Sequence, residues 1–404
     1  MANLPLQGIR VADFTWVWAG PVCTMQLAHL GAEVIKVESS LRTDTLRHIP
    51  PYADGVPGPN RSGYFNQYSQ GKKSILLDLR HPKGVAVAKR LVAVSDVVAE
   101  NFSTGVMDKL GLGYQELRRV KPDTIMISFS GYGASGPKKD YVAYGPAQVP
   151  MSGLSSLTGY PGGGPREVGI SYGDPNAGLH AAFAALAALH YRARTGQGQY
   201  IDMSQWEALL GLVSEGIMDY VMNGTQPPRM GNRDPSLAPH GCFRCRGEDD
   251  WVTIAVGSEE EWQSLCRAMG QPELAQDPRF RTMPLRKAHE EELEAVITQW
   301  TRDRDRWEVT DLLQRHGVAA FPTMTSRDLA QDPHLDARGY FADLEQAEVG
   351  PRRHPGIPWQ MSGTPCRVRS PAPLLGQHTG EILTGLLGYS PAEVAALQEE
   401  GALR

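Results

Sequence analysis

Short apolar runs alternate with helical stretches through the first half of the chain. The runs are bounded by glycine and do not alternate in polarity, which is typical of strands that are covered on both faces. They predict strands at 9–14, 33–37, 96–100 and 124–129, with helices at 21–30 and 81–94. Such alternation indicates crossover units and a parallel sheet. The expected fold class is therefore α/β.

The pattern changes in the second half. Residues 223–239 are rich in Pro, Gly, Asn and Arg, which predicts a linker. A strand at 251–256, a helix at 259–269 and a charged helical stretch at 285–316 follow it. After about residue 332, prolines separate short extended pieces, and Ser390 with Glu393 forms a capping box that begins the last helix. We expect a second structural unit after the linker.

Composition narrows the classes of function. Of the 404 residues, 41% are hydrophobic and 21% are charged, as in an ordinary globular protein of two domains. The formal net charge of -5 provides no overall attraction to nucleic acid or to an anionic membrane. The first ten residues lack a secretory pattern, no run approaches the roughly 18 apolar residues of a membrane span, and the five cysteines are scattered. We expect a cytoplasmic protein without nucleic-acid or membrane partners.

Several familiar motifs are incomplete or absent. Gly131–Gly136 matches G-x-G-x-x-G after a predicted strand, but Pro137 follows where a dinucleotide site needs a helix, so we interpret it as a tight loop. The signatures of a P-loop and of an α/β-hydrolase are missing. Cys242 and Cys245 form a C-x-x-C pair that lacks the surroundings of a redox or zinc site, and we interpret them as packing residues. The histidines occur singly, so we expect no metal and no permanently bound cofactor.

One acidic residue stands at the start of a helix of almost entirely small and apolar residues. Asp174 precedes Pro175, which predicts that Asp174 is the N-cap and Pro175 the first helical residue. Aspartate caps many helices for stability alone, which is one interpretation. In the other, the helix N-terminus keeps the carboxylate charged, and in a glycine-rich crevice it attacks a thioester. One oxygen can cap while the other attacks, so the two interpretations are compatible.

The order of several motifs resembles that of the family III CoA-transferases along essentially the whole chain. The matching segments are Asp13–Thr15, Ala19–Pro21, Leu30–Glu38, Lys73–Leu79, Glu100–Phe102, Gly105–Leu110, Gly131–Gly133, Gly173–Asp174 and Leu375–Thr379. The resemblance implies a Rossmann-like large domain built from both chain ends, with a small inserted α+β domain, and two chains that interlock as a dimer. It places the first part of the large domain at 1–222, the inserted domain with its linker at 223–332 and the return at 333–404.

The resemblance also implies a reaction. Asp174 would attack an acyl-CoA thioester to form a mixed anhydride, and CoA would then form an aspartyl-CoA thioester that a carboxylic acid acceptor consumes. A CoA thioester is thus a substrate, and acyl-CoA and a carboxylic acid are the partners. The family's CoA contacts match Val17, Leu77, Arg80, Asn101, Phe102, Lys109, Tyr144 and Met203.

Departures from the oxalate-using members bear on the substrate. Those members have a glutamine where this chain has Trp18, and an arginine where it has Ser39. Arg42 or Arg47 could supply the missing charge. Trp16 and Trp18 predict a pocket for a larger, partly apolar acid. The stretch around them most resembles benzylsuccinate-type transferases, which use succinyl-CoA.

Two alternatives remain. An α-methylacyl-CoA racemase shares the fold, but racemases carry Gly-His-Asp-Ile where this chain has Ala143–Pro146, and so the catalytic base is missing. The chain could also be a CoA-binding, non-catalytic subunit. The partner chain of the expected dimer is either identical or a paralogous subunit.

Overall fold

The computed structural model describes residues 4–404, which form two compact units. The larger unit comprises the described residues up to Ser155 together with Glu167–Gly224 and Leu335–Arg404. The smaller unit comprises Ser156–Arg166 and Thr225–His334. No helix in the described part of the chain is long and apolar enough to cross a membrane.

Strands and helices are numbered in chain order. The strands are β1 (Arg10–Asp13), β2 (Glu33–Glu38), β3 (Lys72–Leu76), β4 (Val97–Glu100), β5 (Ile125–Ser130), β6 (Tyr200–Ser204), β7 (His240–Arg244), β8 (Trp251–Ala255), β9 (Ala319–Pro322), β10 (Phe341–Gln346) and β11 (Gly350–Pro355). The helices of the first half are α1 (Ala19–His29), α2 (Gly63–Tyr68), α3 (Pro82–Ala93), α4 (Val106–Lys109), α5 (Tyr114–Val120), α6 (Gly145–Met151), α7 (Leu154–Leu157), α8 (Gly173–Thr195), α9 (Gln205–Leu210) and α10 (Ser214–Asn223). Those of the second half are α11 (Glu259–Ala268), α12 (Met283–Ala288), α13 (Glu290–Thr301), α14 (Arg306–Arg315), α15 (Ser326–Ala330), α16 (Pro333–Ala337), α17 (Thr379–Glu381) and α18 (Pro391–Glu399).

A six-stranded sheet lies at the centre of the larger unit. Its strand order is β3-β2-β1-β4-β5-β6, and every neighbouring pair is parallel. The four strands predicted from apolar runs are confirmed, as is the α/β class. Strand β6 was not predicted, because it lies at the sheet edge, where half-exposed polar positions interrupt the apolar run.

Both faces of this sheet are covered. On one face, α3 and α5 pack with the C-terminal segment, which contributes Leu383, Leu397 and Ala402 to the core. On the other face lie α1 and α8, whose side chains include Leu27 and Ala181. Alternate strand residues point to opposite faces, so both sets are apolar. This explains why the predicted strands show no alternation in polarity.

The smaller unit contains its own core. Antiparallel strands β7, β8 and β9 pack with α11, α13 and α14 around Trp262, Leu293 and Leu313. The charged stretch predicted to be helical is divided into α12, α13 and α14, and Asp305 caps the last of these. All five cysteines are free, and burial raises the pKa of Cys245 to about 11. A thiol of that kind is unreactive, as the packing interpretation predicts.

Candidate active site

Asp174 lies in the first turn of α8, where three hydrogen-bond donors meet its carboxylate. Tyr172 is the N-cap and Asp174 the second helical residue, so the prediction that Asp174 caps the helix is wrong. The carboxylate accepts from Ser171 Oγ, from Gln205 Nε2 at 3.1 Å and, as the weakest of the three interactions, from the Ala19 backbone N–H. The side chain therefore faces groups outside its own helix.

Burial raises the pKa of Asp174 above its ordinary value. The hydrogen bonds from Ser171, Gln205 and the Ala19 N–H favour the charged form but offset burial only in part. The helix N-terminus, which the sequence-based expectation invoked, favours the charged form, and burial opposes it. A desolvated carboxylate held by oriented donors is a more basic nucleophile than one in water.

Two glycines allow the surrounding backbone to approach this carboxylate. A Cβ at Gly145, the first residue of α6, would overlap both Asp174 Oδ2 and Ser171 Oγ. A Cβ at Gly178, one turn after Asp174, would lie 2.6 Å from the Ala19 carbonyl oxygen. Helix α1 can therefore pack directly on α8, which brings the Ala19 N–H to the carboxylate.

The β1–α1 loop, Phe14–Trp18, connects this centre to an apolar pocket of about 280 Å³. We call it the Phe102 pocket. Its lining includes Phe14, Trp16, Ser39, Arg42, Leu77, Arg80 and Phe102. The Trp16 and Phe102 rings meet edge to face, 6.0 Å apart, and the Arg42 guanidinium lies over the Trp16 ring. Three of the predicted CoA contacts, Leu77, Arg80 and Phe102, are thus brought together in one apolar pocket edged by two arginines.

Arg42 and Arg47 were both candidates to supply the positive charge that is missing at Ser39, and burial decides between them. Arg47 is completely buried and forms an ion pair of 2.6 Å with Glu38, so its guanidinium is not available to a ligand. Arg42 lines the Phe102 pocket beside Ser39. The arginine that can supply a cation near Ser39 is therefore Arg42.

The other predicted CoA contacts lie in different places. Asn101 adjoins the pocket and pairs with both backbone groups of Trp16 at 2.8 Å. Val17 follows in the same loop, and Lys109 is exposed at the end of α4. Tyr144 is exposed and is the N-cap of α6, next to Gly145. Met203 packs against the core between the sheet and α8.

Trp18 does not line a cavity itself, but it packs on two tyrosines of a second cavity, a cleft of about 510 Å³. Tyr64 and Tyr68 line this cleft, and their rings contact Trp18 at centroid distances of 5.5 and 5.6 Å. We call it the tyrosine cleft. The predicted pocket shared by Trp16 and Trp18 is therefore not found among the residues that the structure describes, because Trp16 lines the Phe102 pocket and Trp18 packs behind Tyr64 and Tyr68.

A model of the family described as CoA-transferase family III matches residues 6–379.

The chain belongs to this family.

Two relatives and one solved structure illustrate the similarity. The transferase is 37% identical to the succinyl-CoA–D-citramalate CoA-transferase of Chloroflexus aurantiacus, over 98% of this chain and 97% of the relative. It is 36% identical to the succinate–glutarate CoA-transferase of Agrobacterium fabrum, over 95% and 96%. A CAIB/BAIF family protein from Brucella suis has a TM-score of 0.87 at 34% identity, over 95% of this chain and 100% of that one. The family resemblance is confirmed, and CoA thioesters are substrates of this enzyme.

Sequence reasoning missed a group of buried charges under the β1–α1 loop of the transferase. Asp13 pairs with Lys72 at 3.2 Å and Lys36 with Asp44 at 2.9 Å, and all four side chains are fully buried. Burial alone would raise the pKa of Asp13, but the ammonium groups of Lys72 and Lys36 lower it below its ordinary value. The available signal was the presence of lysines inside strands that are otherwise apolar.

Glu100 is a further buried acid that sequence reasoning did not single out. It ends β4, accepts the Phe102 N–H at 2.8 Å and contacts the Ser128 hydroxyl. Burial raises the pKa of Glu100 to about 7, because these hydrogen bonds do not replace its hydration. An acid that titrates near neutrality therefore supports the Phe102 pocket.

Proposed function

We propose that the transferase moves CoA from succinyl-CoA to a larger carboxylic acid and that Asp174 carries the acyl group. The observation that supports this most strongly is the buried Asp174 carboxylate with its raised pKa and three oriented donors. The donors hold the carboxylate in one orientation, while burial makes it a stronger nucleophile.

The proposed reaction proceeds by four exchanges at carbonyl carbon. An Asp174 oxygen attacks the thioester carbonyl, the C–S bond breaks, CoA leaves as thiolate, and a mixed anhydride of Asp174 and succinate remains. The thiolate attacks the Asp174 acyl carbon and releases succinate, which leaves an aspartyl-CoA thioester. The acceptor carboxylate displaces CoA to form a second anhydride, and the thiolate attacks the acceptor's carbonyl to regenerate Asp174. Each intermediate is hydrolysable, so burial of Asp174 also protects the cycle.

We propose that the Phe102 pocket binds part of CoA. Its apolar walls suit stacking of an aromatic ring on Phe102, and Arg42 and Arg80 suit phosphate oxygens. Val17 lies in the β1–α1 loop and Asn101 beside it, and we propose that both contact CoA from there. Lys109, Tyr144 and Met203 remain predicted contacts.

We propose the tyrosine cleft as the site of the acceptor acid. Two relatives are named for exchange between succinyl-CoA or succinate and a five-carbon diacid, which supports a dicarboxylate acceptor. The Tyr64 and Tyr68 rings, on which Trp18 packs, favour an acceptor with an apolar substituent, such as benzylsuccinate. A panel of citramalate, glutarate and benzylsuccinate as acceptors tests this. A preference for glutarate over benzylsuccinate would contradict the aromatic interpretation.

One observation weighs against the racemase alternative. The racemase motif Gly-His-Asp-Ile matches Ala143–Pro146, so its acid falls at Gly145, where any Cβ would overlap Asp174 Oδ2, and its histidine is replaced by Tyr144. The position of the racemase acid is therefore closed by the Asp174 carboxylate, and the position of the histidine holds a tyrosine.

We also propose that two chains associate, either identical or with a paralogous subunit. Helices α8 and α10 expose large apolar side chains, among them Phe183 at 74% and Val221 at 70%. Such a patch is typical of a protein interface. Light scattering after size exclusion should give at least twice the chain mass, and a monomer at all concentrations would contradict the proposal.

Trapping with hydroxylamine tests the mechanism. After incubation with succinyl-CoA, hydroxylamine should convert an activated Asp174 into a hydroxamate, which peptide mass spectrometry would locate. Asp174→Asn should abolish transfer, whereas the control Asp343→Asn, at an exposed acid, should retain it. Transfer by Asp174→Asn would refute the nucleophile. α-Deuterium exchange into a branched acyl-CoA would instead support the racemase, and unchanged activity of an assembled complex would indicate a non-catalytic subunit.

A further inference from the structure

The β1–α1 loop is held by side chains from other parts of the chain. The Lys36 ammonium donates to the Thr15 carbonyl at 2.5 Å. Asn101 pairs with both backbone groups of Trp16. Asp44 Oδ1 accepts the Val17 N–H at 2.9 Å. Three consecutive residues are therefore fixed before the chain enters α1 at Ala19.

Val17 has a backbone conformation that its side chain disfavours. Its φ is +60°, in the left-handed region that β-branched residues rarely adopt. Strain of this kind persists only where the surroundings impose it, and it is concentrated at functional sites. The Asp44 bond to the Val17 N–H is a direct means of imposing it.

Asp44 is itself fixed by burial and charge. Its ion pair with Lys36 is fully buried, and it also accepts the Leu46 N–H at 3.0 Å. A buried ion pair is a poor source of stability, because desolvation offsets much of its attraction. A requirement for one loop conformation explains its presence better than stability does.

The loop connects three parts of the site. Trp16 lines the Phe102 pocket, Trp18 lies against the tyrosine cleft, and the Ala19 N–H donates to Asp174. We propose that Asp44 is a positioning residue for CoA transfer: it holds Val17 in the left-handed conformation and so aligns Ala19 on Asp174. This inference rests on the proposed role of Asp174, but Asp44 contacts none of the reacting atoms.

A double-mutant cycle between Asp44 and Val17 tests the inference. Asp44→Ala should lower kcat at least about tenfold, since small displacements of a positioned group have effects of this size. The KM for acyl-CoA should change less than about threefold, because Asn101 still holds Trp16. Glycine adopts φ of +60° freely, so in the Val17→Gly background Asp44→Ala should lower kcat less than about threefold. In the matched Val17→Ala background, where Cβ still disfavours that φ, the full loss should return.

An equal loss of kcat in all three backgrounds would overturn the proposal, as would an Asp44→Ala enzyme with the native kcat. If Asp44→Ala does not fold, the pair Lys36→Met with Asp44→Leu removes both buried charges at similar volume and still leaves the Val17 N–H without its acceptor. The same rescue by Val17→Gly is expected there, and its absence would overturn the proposal. An active Asp174→Asn enzyme would refute the proposed nucleophile. If Asp174→Asn is inactive and Val17→Gly does not rescue Asp44→Ala, only the inference about Asp44 is refuted.

Discussion

Gly178 provides the most direct test of how the fold positions the site. It lies on α8 one turn after Asp174, where α8 contacts α1. In Gly178→Ala, the new Cβ would lie 2.6 Å from the Ala19 carbonyl oxygen and 2.8 Å from Val22 Cβ. Carbon atoms pack at about 3.5–4.0 Å, so the two helices must separate locally by about 1 Å. Because Ala19 also carries the N–H that meets Asp174, the separation lengthens that hydrogen bond.

The magnitudes favour a loss of activity over a loss of stability. Overpacking costs roughly 1–3 kcal/mol, and alanine regains about 1 kcal/mol of helix propensity relative to glycine. The unfolding free energy should therefore fall by about 0–2 kcal/mol. A hydrogen bond to a charged group contributes about 1.5–3 kcal/mol, and the Ala19 N–H is the weakest of the three donors, so its loss from the transition state should lower kcat by roughly tenfold.

Steady-state kinetics and thermal unfolding measure the two effects separately. The control is Gly380→Ala, which adds the same methyl group where no other heavy atom lies within 4 Å. It should leave kcat and the thermal midpoint unchanged. A Gly178→Ala enzyme that folds normally and keeps kcat within about twofold would refute the link between helix approach and the Asp174 centre.

Three further substitutions test the electrostatics. Burial raises the pKa of Glu100 from an ordinary 4.5 to about 7, so the free energy of unfolding should fall by up to roughly 3 kcal/mol as pH rises through that interval. In denaturant titrations, Glu100→Gln should abolish this fall. A variant with the same pH profile as the native enzyme would contradict the raised pKa. Burial lowers the pKa of His29 from 6.5 to about 4, so stability should be lost as pH falls through that interval, and His29→Gln should remove that acid-side loss in melts from pH 7 to 4. Arg42→Met should raise the KM for acyl-CoA about tenfold and weaken the salt dependence of that KM. The control Arg119→Met, at an exposed arginine, should change neither. Equal KM values for Arg42→Met and the native enzyme would exclude Arg42 from phosphate binding.

The sequence predicted the parts of the fold that depend on local pattern. Apolar runs identified four central strands, because a parallel sheet that is covered on both faces needs such runs. The capping box at Ser390 is confirmed because its partners are three residues apart. Strand β6 was missed because its edge position leaves residues such as Asp202 exposed.

The candidate site depends on tertiary contacts, which the local pattern of the sequence does not show. Asp174 was recognisable from its motif, but its donors Ser171, Gln205 and Ala19 come from separate segments that only the folded chain brings together. For the same reason, burial could not be weighed against the helix N-terminus, and the raised pKa of Asp174 was not foreseen. Whether Arg47 was free for a ligand likewise depended on Glu38, whose place opposite it is a tertiary fact.

The C-terminal segment has a consequence for synthesis on the ribosome. The six central strands are complete at residue 204, but the face on which α3 and α5 pack is fully covered only when Leu397 and Ala402 arrive. At elongation rates of about 5–20 residues per second, these 198 intervening residues take roughly 10–40 s. Meanwhile the core of the smaller unit, contiguous from 238 to 320, can form. The nascent chain therefore carries a partly exposed apolar core for many seconds, which is a substrate for chaperones and a point of aggregation when synthesis stalls.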